Sequence, residues 1–370
     1  MEALAARGDW QVTVINPIGL PPLPAFATPA RYAPLRTIPA QETSGGVTIH
    51  HPRFTLVPGL SGRFNPALIA RAVLPLVRRL HAEQPFDMVD AQFFYPDGPA
   101  AARIARALGL PLAIKARGSD IHFWGRQPAA LAQMRAAAEQ AAALLSVSGA
   151  LAGDMAALGL PTPRIHVHYT GLDRARFHPL NRPAARELVA ALPALELPEN
   201  GKLVLSVGAL VPVKGTDLAI EAMTLLPADV TLAIAGEGPQ AAMLRALAER
   251  LGVASRVRFL GAVDHETLPV LLSAADAMVL PSQREGLANA WIEALACGTP
   301  LVIPDIGGAR EVVDRPAAGR IVDRTPQAIA AAITDLLAHP QPQEAIAESA
   351  ARFSWDANAA ALAEIYGGVV

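Results

Sequence analysis

Short runs of β-branched and apolar residues alternate with longer helical patterns along the whole chain. This alternation is typical of βα units, in which parallel strands form a sheet that is covered by helices. We therefore predict a doubly wound α/β fold. In the first half, strands are expected near Val12–Asn16, Asp87–Ala91, Leu112–Ala116, Leu144–Ser148 and Ile165–Tyr169, and helices near Pro66–Glu83, Gly98–Leu108, Ala129–Ala143 and Ala150–Leu158.

The first half contains a long insertion, and the second half repeats the alternating pattern of strands and helices. Pro17–Gly62 is rich in Pro, Gly and Thr and is predicted to be irregular. Strands of the second half are expected near Leu203–Val207, Thr231–Ala235, Val257–Leu260, Ala277–Leu280, Leu301–Pro304 and Arg320–Val322. Helices are expected at Asp217–Leu225, Pro239–Leu251, Glu266–Ala274, Leu287–Cys297, Arg310–Val313 and Pro326–Leu337.

A chain of 370 residues is too long for one ordinary hydrophobic core, so we expect two domains. A polar, Pro-bearing stretch that ends at Lys202 is the predicted hinge. The predicted domains are residues 1–178 and 179–354, and a final amphipathic helix at 355–370 is expected to pack back on the first domain.

Composition and charge limit the setting of the protein. No uncharged apolar run reaches the roughly 18 to 20 residues of a membrane span, Cys297 is the single cysteine, and no signal-peptide pattern opens the chain. We therefore predict a cytoplasmic protein. Residues 1–185 carry 18 Lys and Arg against 11 Asp and Glu, whereas residues 186–370 carry 13 against 22. The basic half is a candidate for an anionic acceptor or for the inner membrane face; chance unevenness of solvated charge is the alternative.

Two carboxylates, Glu285 and Glu293, follow the predicted strand at Ala277–Leu280. Glu293 has no Lys or Arg three or four residues away on its apolar helix, so a surface ion pair is not expected. Glu285 lies just before that helix, where open backbone amides and the helix dipole favour an anion. These amides are expected to be those of Gly286, Leu287 and Ala288. A diphosphate flanked by hydroxyl-bearing rings fits this arrangement.

Lys214 follows another predicted strand and precedes the helix that begins near Asp217. Gly208, at the end of that strand, lets a ligand approach the backbone. A lysine in this place can hold a phosphate. The loop is not a Walker A loop, because a glycine follows the lysine. An exposed loop lysine without a ligand is the alternative.

Gly236 and Gly238 lie between a predicted strand and a helix and match the relaxed pattern G-x-G-x-x-[GA]. The next strand, which contains Arg258, ends without the acid that would bind a ribose. We interpret the turn as one wall of a nucleotide pocket and include Arg258 among the residues that line it. An NAD-dependent oxidoreductase is the alternative that rests on this pattern alone.

Arg117, Asp120 and His122 follow the predicted strand at Leu112–Ala116. Ligands of open α/β sheets collect at the carboxyl ends of strands, so these side chains are expected to face a cleft between the domains. We predict that Arg117 and Asp120 are catalytic, whereas a structural role is favoured for His122. The sequence contains no metal-ligand cluster and no G-x-S-x-G elbow.

The ordered set of motifs resembles the retaining glycosyltransferases of the GT-B fold, family 4, also called glycosyltransferase group 1. The most specific element is the E-x7-E spacing from Glu285 to Glu293, which A-L-A-C-G-T-P follows. The resemblance covers nearly the whole chain and is strongest in residues 202–322. Lesser features accompany it in order: Gly171-Leu172-Asp173, Lys214-Gly215, Gly236-Glu237-Gly238-Pro239, Phe259-Leu260-Gly261 and Gly307-Gly308.

The resemblance implies two Rossmann-like domains that face a cleft, with the acceptor on the N-terminal domain and the donor on the C-terminal domain. It implies that Glu293 binds the ribose of a nucleotide diphosphate sugar and that Glu285 meets the donor sugar. Lys214 is then expected to hold the diphosphate together with amides of residues 286–288. Such enzymes take no separate cofactor and no metal, because cationic groups and a helix N-terminus stabilise the leaving group.

Three departures from the family pattern stand out. Ala209 occupies a position where many relatives have an arginine, so the diphosphate grip is expected to be weaker or to involve Arg310 or Arg284. Arg117 stands where many relatives have a histidine. Residues 1–9 resemble the end of the first helix, so the first N-terminal strand is expected to be missing, and a misassigned start is our interpretation.

The function that the resemblance implies is retaining, metal-independent transfer of a hexosyl unit from a UDP- or GDP-sugar. The expected acceptor is a glycan or a polyprenyl- or other lipid-linked molecule in polysaccharide or glycolipid biosynthesis. Peripheral membrane contact through the N-terminal domain is expected, and nucleic acid is not an expected partner. A GT-B nucleotide-sugar epimerase and an inactive nucleotide-sugar-binding protein or fragment are the alternatives.

Overall fold

The chain forms two compact units in a computed structural model, which describes residues 1–24, 29–57, 59, 62–192, 195, 197 and 200–370. Unit 1 comprises Met1–Tyr169 and Trp355–Val370, and unit 2 comprises Thr170–Ser354. Unit 1 therefore ends earlier than the predicted boundary after residue 178. The final segment of the chain is counted with unit 1. None of the helices in the described residues is long and apolar enough to cross a membrane.

Unit 1 contains eight helices and nine strands in its described residues. The helices are α1 Glu2–Ala6, α2 Ala33–Thr37, α3 Asn65–Glu83, α4 Asp97–Leu108, α5 Ser119–His122, α6 Pro128–Gln140, α7 Gly149–Ala157 and α16 Trp355–Gly367. The strands are β1 Thr13–Ile15, β2 Ile18–Leu20, β3 Gln41–Ser44, β4 Val47–His50, β5 Arg53–Thr55, β6 Val89–Ala91, β7 Leu112–Ala116, β8 Ala143–Ser146 and β9 Ile165–Val167.

The strands of unit 1 divide into three sheets instead of one. A four-stranded parallel sheet has the order β6-β7-β8-β9, a three-stranded sheet has the order β1-β4-β3, and β2 pairs with β5. The prediction that Pro17–Gly62 is irregular is therefore wrong for about half of its described part, which contains four strands and a short helix. Residues 25–28, 58 and 60–61 of this stretch lie outside the described residues.

The failed prediction has a physical reason. The four strands are three or four residues long, and β3 is exposed along its entire length, so any hydrophobic alternation is too short to identify them. Backbone pairing with β1 and between the strands themselves defines them. Pairing of this kind depends on partners that are distant in sequence, and single-strand patterns do not contain that information.

Unit 2 contains a parallel sheet of six strands: β10 Lys202–Val207, β11 Val230–Ala235, β12 Val257–Gly261, β13 Ala277–Val279, β14 Leu301–Pro304 and β15 Gly319–Val322. The sheet has the order β12-β11-β10-β13-β14-β15, which is the doubly wound order. All six strands lie within two residues of their predicted positions. The helices are α8 Arg182–Ala190, α9 Thr216–Ala222, α10 Ala241–Arg250, α11 Thr267–Ala274, α12 Asn289–Ala296, α13 Ala309–Val312, α14 Pro326–Ala338 and α15 Gln343–Ala347.

Helix α8 occupies the stretch that was predicted to be a hinge. Its start is capped, because the Asn181 side chain accepts a hydrogen bond from the Ala184 amide and a proline occupies the first turn. Ala185 and Val189 are buried, so the helix belongs to the packed body of unit 2. The charged residues of its sequence concealed this short apolar face.

A buried polar chain attaches α16 to the four-stranded sheet of unit 1. The Lys115 ammonium on β7 lies 2.6 Å from Nδ1 of His168, and Nε2 of His168 lies 2.9 Å from the Asn358 carbonyl on α16. The Asn358 amide donates in turn to the Tyr169 carbonyl. Lys115 and His168 are both buried. Burial lowers the pKa of Lys115 to about 7, and burial together with Lys115 lowers the pKa of His168 to about 4.

Substitution K115M should remove a pH dependence of stability. Between pH 7 and 10.5 the folded lysine binds fewer protons than the unfolded one, so the free energy of unfolding rises with pH through this window. The slope for one proton is at most about 1.4 kcal/mol per pH unit. Urea unfolding at a series of pH values measures it.

The matched control is K202M, which removes an exposed lysine at the start of β10. It should unfold with the wild-type pH slope. A K115M protein that keeps the full slope would contradict the assignment to Lys115.

Candidate functional site

The carboxyl edge of the unit 2 sheet is held together by close contacts between loop backbones. A Cβ atom on Gly236 would lie 2.0 Å from the Gly208 carbonyl oxygen, and one on Gly238 would lie 2.4 Å from the Leu210 carbonyl oxygen. The Leu210 amide also donates to the Glu237 carbonyl at 2.9 Å. The three predicted glycines thus lie at one place because the loops after β10 and β11 touch without side chains between them.

Lys214 and Glu285 meet beside these loops. The Lys214 ammonium lies 2.6 Å from Oε1 of Glu285, and the two side chains are 23% and 13% exposed. Lys214 ends a short 3-10 helix after β10, and Gly215 follows it in the left-handed conformation with φ 68°. The Glu285 loop follows β13, which pairs directly with β10. Because β10 and β13 are neighbours in the sheet, the loops that follow them place a carboxylate and an ammonium group in contact.

Backbone contacts also hold the segment that carries Glu285. Gly307, with φ 47°, comes so close that a Cβ atom would lie 2.2 Å from the Glu285 carbonyl oxygen. The Gly308 amide donates to the Gly286 carbonyl at 2.8 Å. On the other side, the Arg324 guanidinium donates to the Pro281 carbonyl at 2.9 Å. The loops after β13, β14 and β15 thus fix the position of Glu285.

Helix α12 begins at Asn289, two residues later than predicted, and Ala288 precedes it in an extended conformation. Gly286, Leu287 and Ala288 are therefore loop residues and not the first turn of the helix. Within the described part of the chain, the amides of residues 287–290 have no hydrogen-bond acceptor. Leu287 and Ala288 are buried. Four consecutive open amides at a helix start form a ready anion site.

Glu293 lies on the second turn of α12 and is partly buried. Burial raises the pKa of its carboxyl group, an effect that nearby His265 reduces. No ion pair or hydrogen bond engages this carboxylate in the described residues, as the absence of a nearby Lys or Arg predicted. A partly buried carboxylate of this kind can accept hydrogen bonds from hydroxyl groups of a ligand.

Three arginines were predicted to line the donor pocket or to strengthen its grip on the diphosphate, and the structure shows the contacts of each. Arg258 donates to the Ser255 carbonyl at 2.9 Å, close to the start of β12, and its place in the pocket at the carboxyl edge stays a prediction. The guanidinium of Arg310 is occupied by Asp305, with contacts of 2.6 to 3.1 Å. Arg284 is exposed and has no ion-pair partner in the described residues. Of the two proposed substitutes at Ala209, only Arg284 has an uncommitted charge.

In unit 1, Asp120 braces its own loop. The carboxylate is fully buried and accepts hydrogen bonds from the amides of Phe94, Arg117, Gly118 and Ile121 at 2.7 to 3.2 Å. Burial raises its pKa, and the four amides reduce this effect. These contacts occupy the acceptor positions of a carboxylate. A positioning role follows directly from them, and a catalytic role stays a prediction.

The two neighbours of Asp120 are also engaged. The Arg117 side chain donates to the carbonyl and side-chain oxygens of Gln92 at 2.8 and 2.9 Å, which ties the loop after β7 to the loop after β6. His122 pairs with Asp154 at 2.8 Å, which agrees with a structural role. Arg117 is exposed, so its guanidinium still borders solvent.

Two further polar residues escaped the sequence reasoning. Asp97 begins α4 at the carboxyl end of β6, and burial together with Asp120 raises its pKa to about 6. Ser282 lies between β13 and Glu285, and its buried hydroxyl has no partner in the described residues. Neither belongs to a spaced motif, so only folding reveals its position. Across the described residues, no group of three or more potential metal ligands is found.

The comparisons with known proteins agree with this geometry. The family "Glycosyl transferases group 1" matches residues 191–353, and "Glycosyl transferase 4-like domain" matches residues 1–171. The chain belongs to the glycosyltransferase group 1 family. The matches cover unit 2 and unit 1 in turn, as the resemblance predicted.

Curated relatives share about a third of their aligned residues with this glycosyltransferase. A D-inositol 3-phosphate glycosyltransferase of Salinispora tropica is 36% identical over 225 residues, which cover 56% of this chain and 46% of the relative. The protein of that name from Jonesia denitrificans is 33% identical over 244 residues, which cover 62% and 57%. The alignments thus span about half the length of these relatives.

Solved structures share the fold. Sucrose-phosphate synthase from Thermosynechococcus elongatus superposes with a TM-score of 0.77 at 22% identity, over 99% of this chain and 90% of that one. Anabaena HepE in complex with UDP gives a TM-score of 0.72 at 24% identity, over 86% of each chain. Its complex with UDP-glucose gives 0.72 at 22% identity, over 95% and 91%. The predicted GT-B fold class is confirmed.

Substitution G307A should destabilise unit 2 and displace the Glu285 loop. The added methyl group would overlap the Glu285 carbonyl, and the positive φ is unfavourable for alanine. A loss of roughly 1 to 3 kcal/mol in the free energy of unfolding is expected, measured by urea unfolding.

G153A is the matched control. Gly153 lies inside α7 with nothing within 4 Å of the added carbon, so alanine should be neutral or stabilising. Equal stability of the two variants would show that the close approach at Gly307 does not constrain the loop.

Proposed function

We propose that this chain transfers a hexosyl unit from a UDP- or GDP-sugar to a glycan or lipid-linked acceptor, with retention of the anomeric configuration. The observation that carries the proposal is the run of open amides at residues 287–290 beside the Lys214–Glu285 pair. Amides and an ammonium group placed together can balance the charge that develops on a departing nucleoside diphosphate. This chemistry requires no divalent metal.

Different residues of unit 2 contact the ribose, the diphosphate and the sugar of the donor. Glu293 accepts hydrogen bonds from the ribose hydroxyls, since its carboxylate has no other partner in the described residues. The open amides and Lys214 hold the diphosphate. Glu285, freed from Lys214, contacts the donor sugar. Gly208, Gly236 and Gly238 leave room for the ligand to lie against the loop backbones.

The name of the curated relatives supports an alternative class of acceptor. A protein called D-inositol 3-phosphate glycosyltransferase takes a small phosphorylated polyol, so a soluble acceptor of that class is the alternative to a glycan or lipid. Transfer assays with each acceptor type decide between them. Turnover of the nucleotide sugar without any acceptor would instead indicate an epimerase, and binding without turnover an inactive protein.

Substitution E293Q should weaken binding of the correct nucleoside diphosphate about ten- to a hundredfold, because a hydrogen bond to a charged group is worth about 1.5 to 3 kcal/mol. Calorimetry with UDP, GDP and ADP measures this and names the base. E249Q, at an exposed position on α10, is the control and should bind as the wild type. Absence of diphosphate binding by folded wild-type protein would reject the donor site.

Substitution E285Q should separate binding from transfer. The amide side chain releases the Lys214 ammonium from its ion pair, so UDP or GDP binding is expected to become severalfold tighter. Transfer should fall sharply, because the contact with the donor sugar is lost. K214M should weaken diphosphate binding by about tenfold or more. E285Q protein that binds the diphosphate more weakly than the wild type would contradict the competition between carboxylate and phosphate for Lys214.

A further inference from the structure

Helix α3 of unit 1 has an apolar side that packs inward and a basic side that faces solvent. Its buried residues pack with α4 in one hydrophobic cluster: Ile69, Ala70, Val73, Val77, Ala100 and Ile104. On the opposite side, Phe64, Arg71 and Arg78 recur at intervals of seven and are exposed. Positions seven apart lie on one stripe of a helix, so the three side chains form a line about 21 Å long.

An aromatic cluster extends this stripe at the start of the helix. Phe64 is 51% exposed and Phe123 is 54% exposed. Gly62 lies against the Trp124 ring, which packs on Phe123 and Tyr95 with ring centroids 5.0 and 4.7 Å apart. The Tyr95 hydroxyl donates to the Gly62 carbonyl at 2.9 Å, which joins the two segments. The contacts of Gly62 thus connect the segment that carries Phe64 with the segment that carries Phe123, and exposed apolar side chains grouped in this way can mark a binding surface.

The arginines of this region have free charges. Arg63 stacks on the Phe64 ring at 4.6 Å, which leaves the edge of its guanidinium open. Arg63, Arg71, Arg78 and Arg126 have no ion-pair partner in the described residues. The nearby acid Asp154 is paired with His122, and Glu83 with Arg79. The arginine–aromatic surface is defined as Arg63, Phe64, Arg71, Arg78, Phe123 and Arg126.

We propose that the arginine–aromatic surface docks unit 1 on a bilayer that contains anionic lipids. The arginines on the stripe are about 10 Å apart along the helix, which is too far for one phosphate group and suits a planar array of head groups. The exposed phenyl rings can enter the boundary between head groups and acyl chains. An anionic bilayer alone therefore accounts for both the spacing of the arginines and the exposed phenyl rings.

The docking supports the proposed transfer to a lipid-linked acceptor and deepens it. A chain held at the membrane surface meets such an acceptor in two dimensions. The surface belongs to unit 1 alone, whereas the proposed donor residues belong to unit 2. Vesicle binding and nucleoside diphosphate binding are therefore independent measurements on the same protein.

The test is cosedimentation with vesicles of phosphatidylcholine alone and of phosphatidylcholine with phosphatidylglycerol. The wild type should bind only the anionic vesicles, and more weakly as salt is added. R71Q/R78Q should weaken binding about fivefold for each arginine, because a basic residue near an anionic surface contributes about 1 kcal/mol, which corresponds to about fivefold in affinity. F64S/F123S should weaken binding to anionic vesicles and leave its salt dependence unchanged.

The matched control is M243S/R250Q on α10 of unit 2, which removes one exposed apolar side chain and one exposed arginine seven residues apart. It should bind vesicles as the wild type does. Unchanged binding by R71Q/R78Q, or binding lost equally in the control, would overturn the proposal. So would wild-type protein that ignores anionic vesicles but binds soluble inositol phosphate.

UDP and GDP binding without lipid is measured for every variant. Normal diphosphate binding with lost vesicle binding supports the docking surface in a folded protein. Absent diphosphate binding with normal vesicle binding would count against the donor site alone. The two proposals can therefore fail separately.

Discussion

Backbone-to-backbone contact at the carboxyl edge of the unit 2 sheet is the constraint on which the candidate site depends. Gly236 lies against the Gly208 carbonyl, and Gly307 lies against the Glu285 carbonyl. A side chain at either position would separate loops that follow neighbouring strands. Because the loops nest, Lys214 and Glu285 lie 2.6 Å apart although 71 residues of sequence separate them.

The same nesting leaves backbone donors unused. The loop after β13 reaches α12 through an extended Ala288, so the amides around the helix start are not absorbed by a preceding turn. An ammonium group, four open amides and a carboxylate without a partner in the described residues then share one edge of one sheet. Without a ligand, Lys214 is neutralised by Glu285. In the proposed function, a diphosphate competes for the same cation, which couples ligand binding to release of the Glu285 carboxylate.

Unit 1 uses its charged residues differently. The Asp120 carboxylate accepts hydrogen bonds from four backbone amides. Lys115 and His168 hold α16 in place. Buried polar groups are stable only when they are satisfied, so these residues read as internal braces. Among the described residues of unit 1, the arginines without an ion-pair partner include Arg63, Arg71, Arg78 and Arg126, which are exposed at the surface. The Asp120 carboxylate is thus occupied by backbone amides, whereas the Glu293 carboxylate has no partner in the described residues.

The sequence by itself determined the α/β class and all six strands of unit 2 to within two residues, and it predicted Lys214, Glu285 and Glu293 as site residues. Those predictions depend on local patterns: buried strands are continuous apolar runs, and a lone acid on an apolar helix is visible from its neighbours. The tertiary structure decided the strands between Pro17 and Gly62, the start of α12 at Asn289 and the hydrogen bond of Arg258. It also decided which charges are paired. These properties depend on strand partners and on neighbours that folding brings together, and no window of sequence contains them.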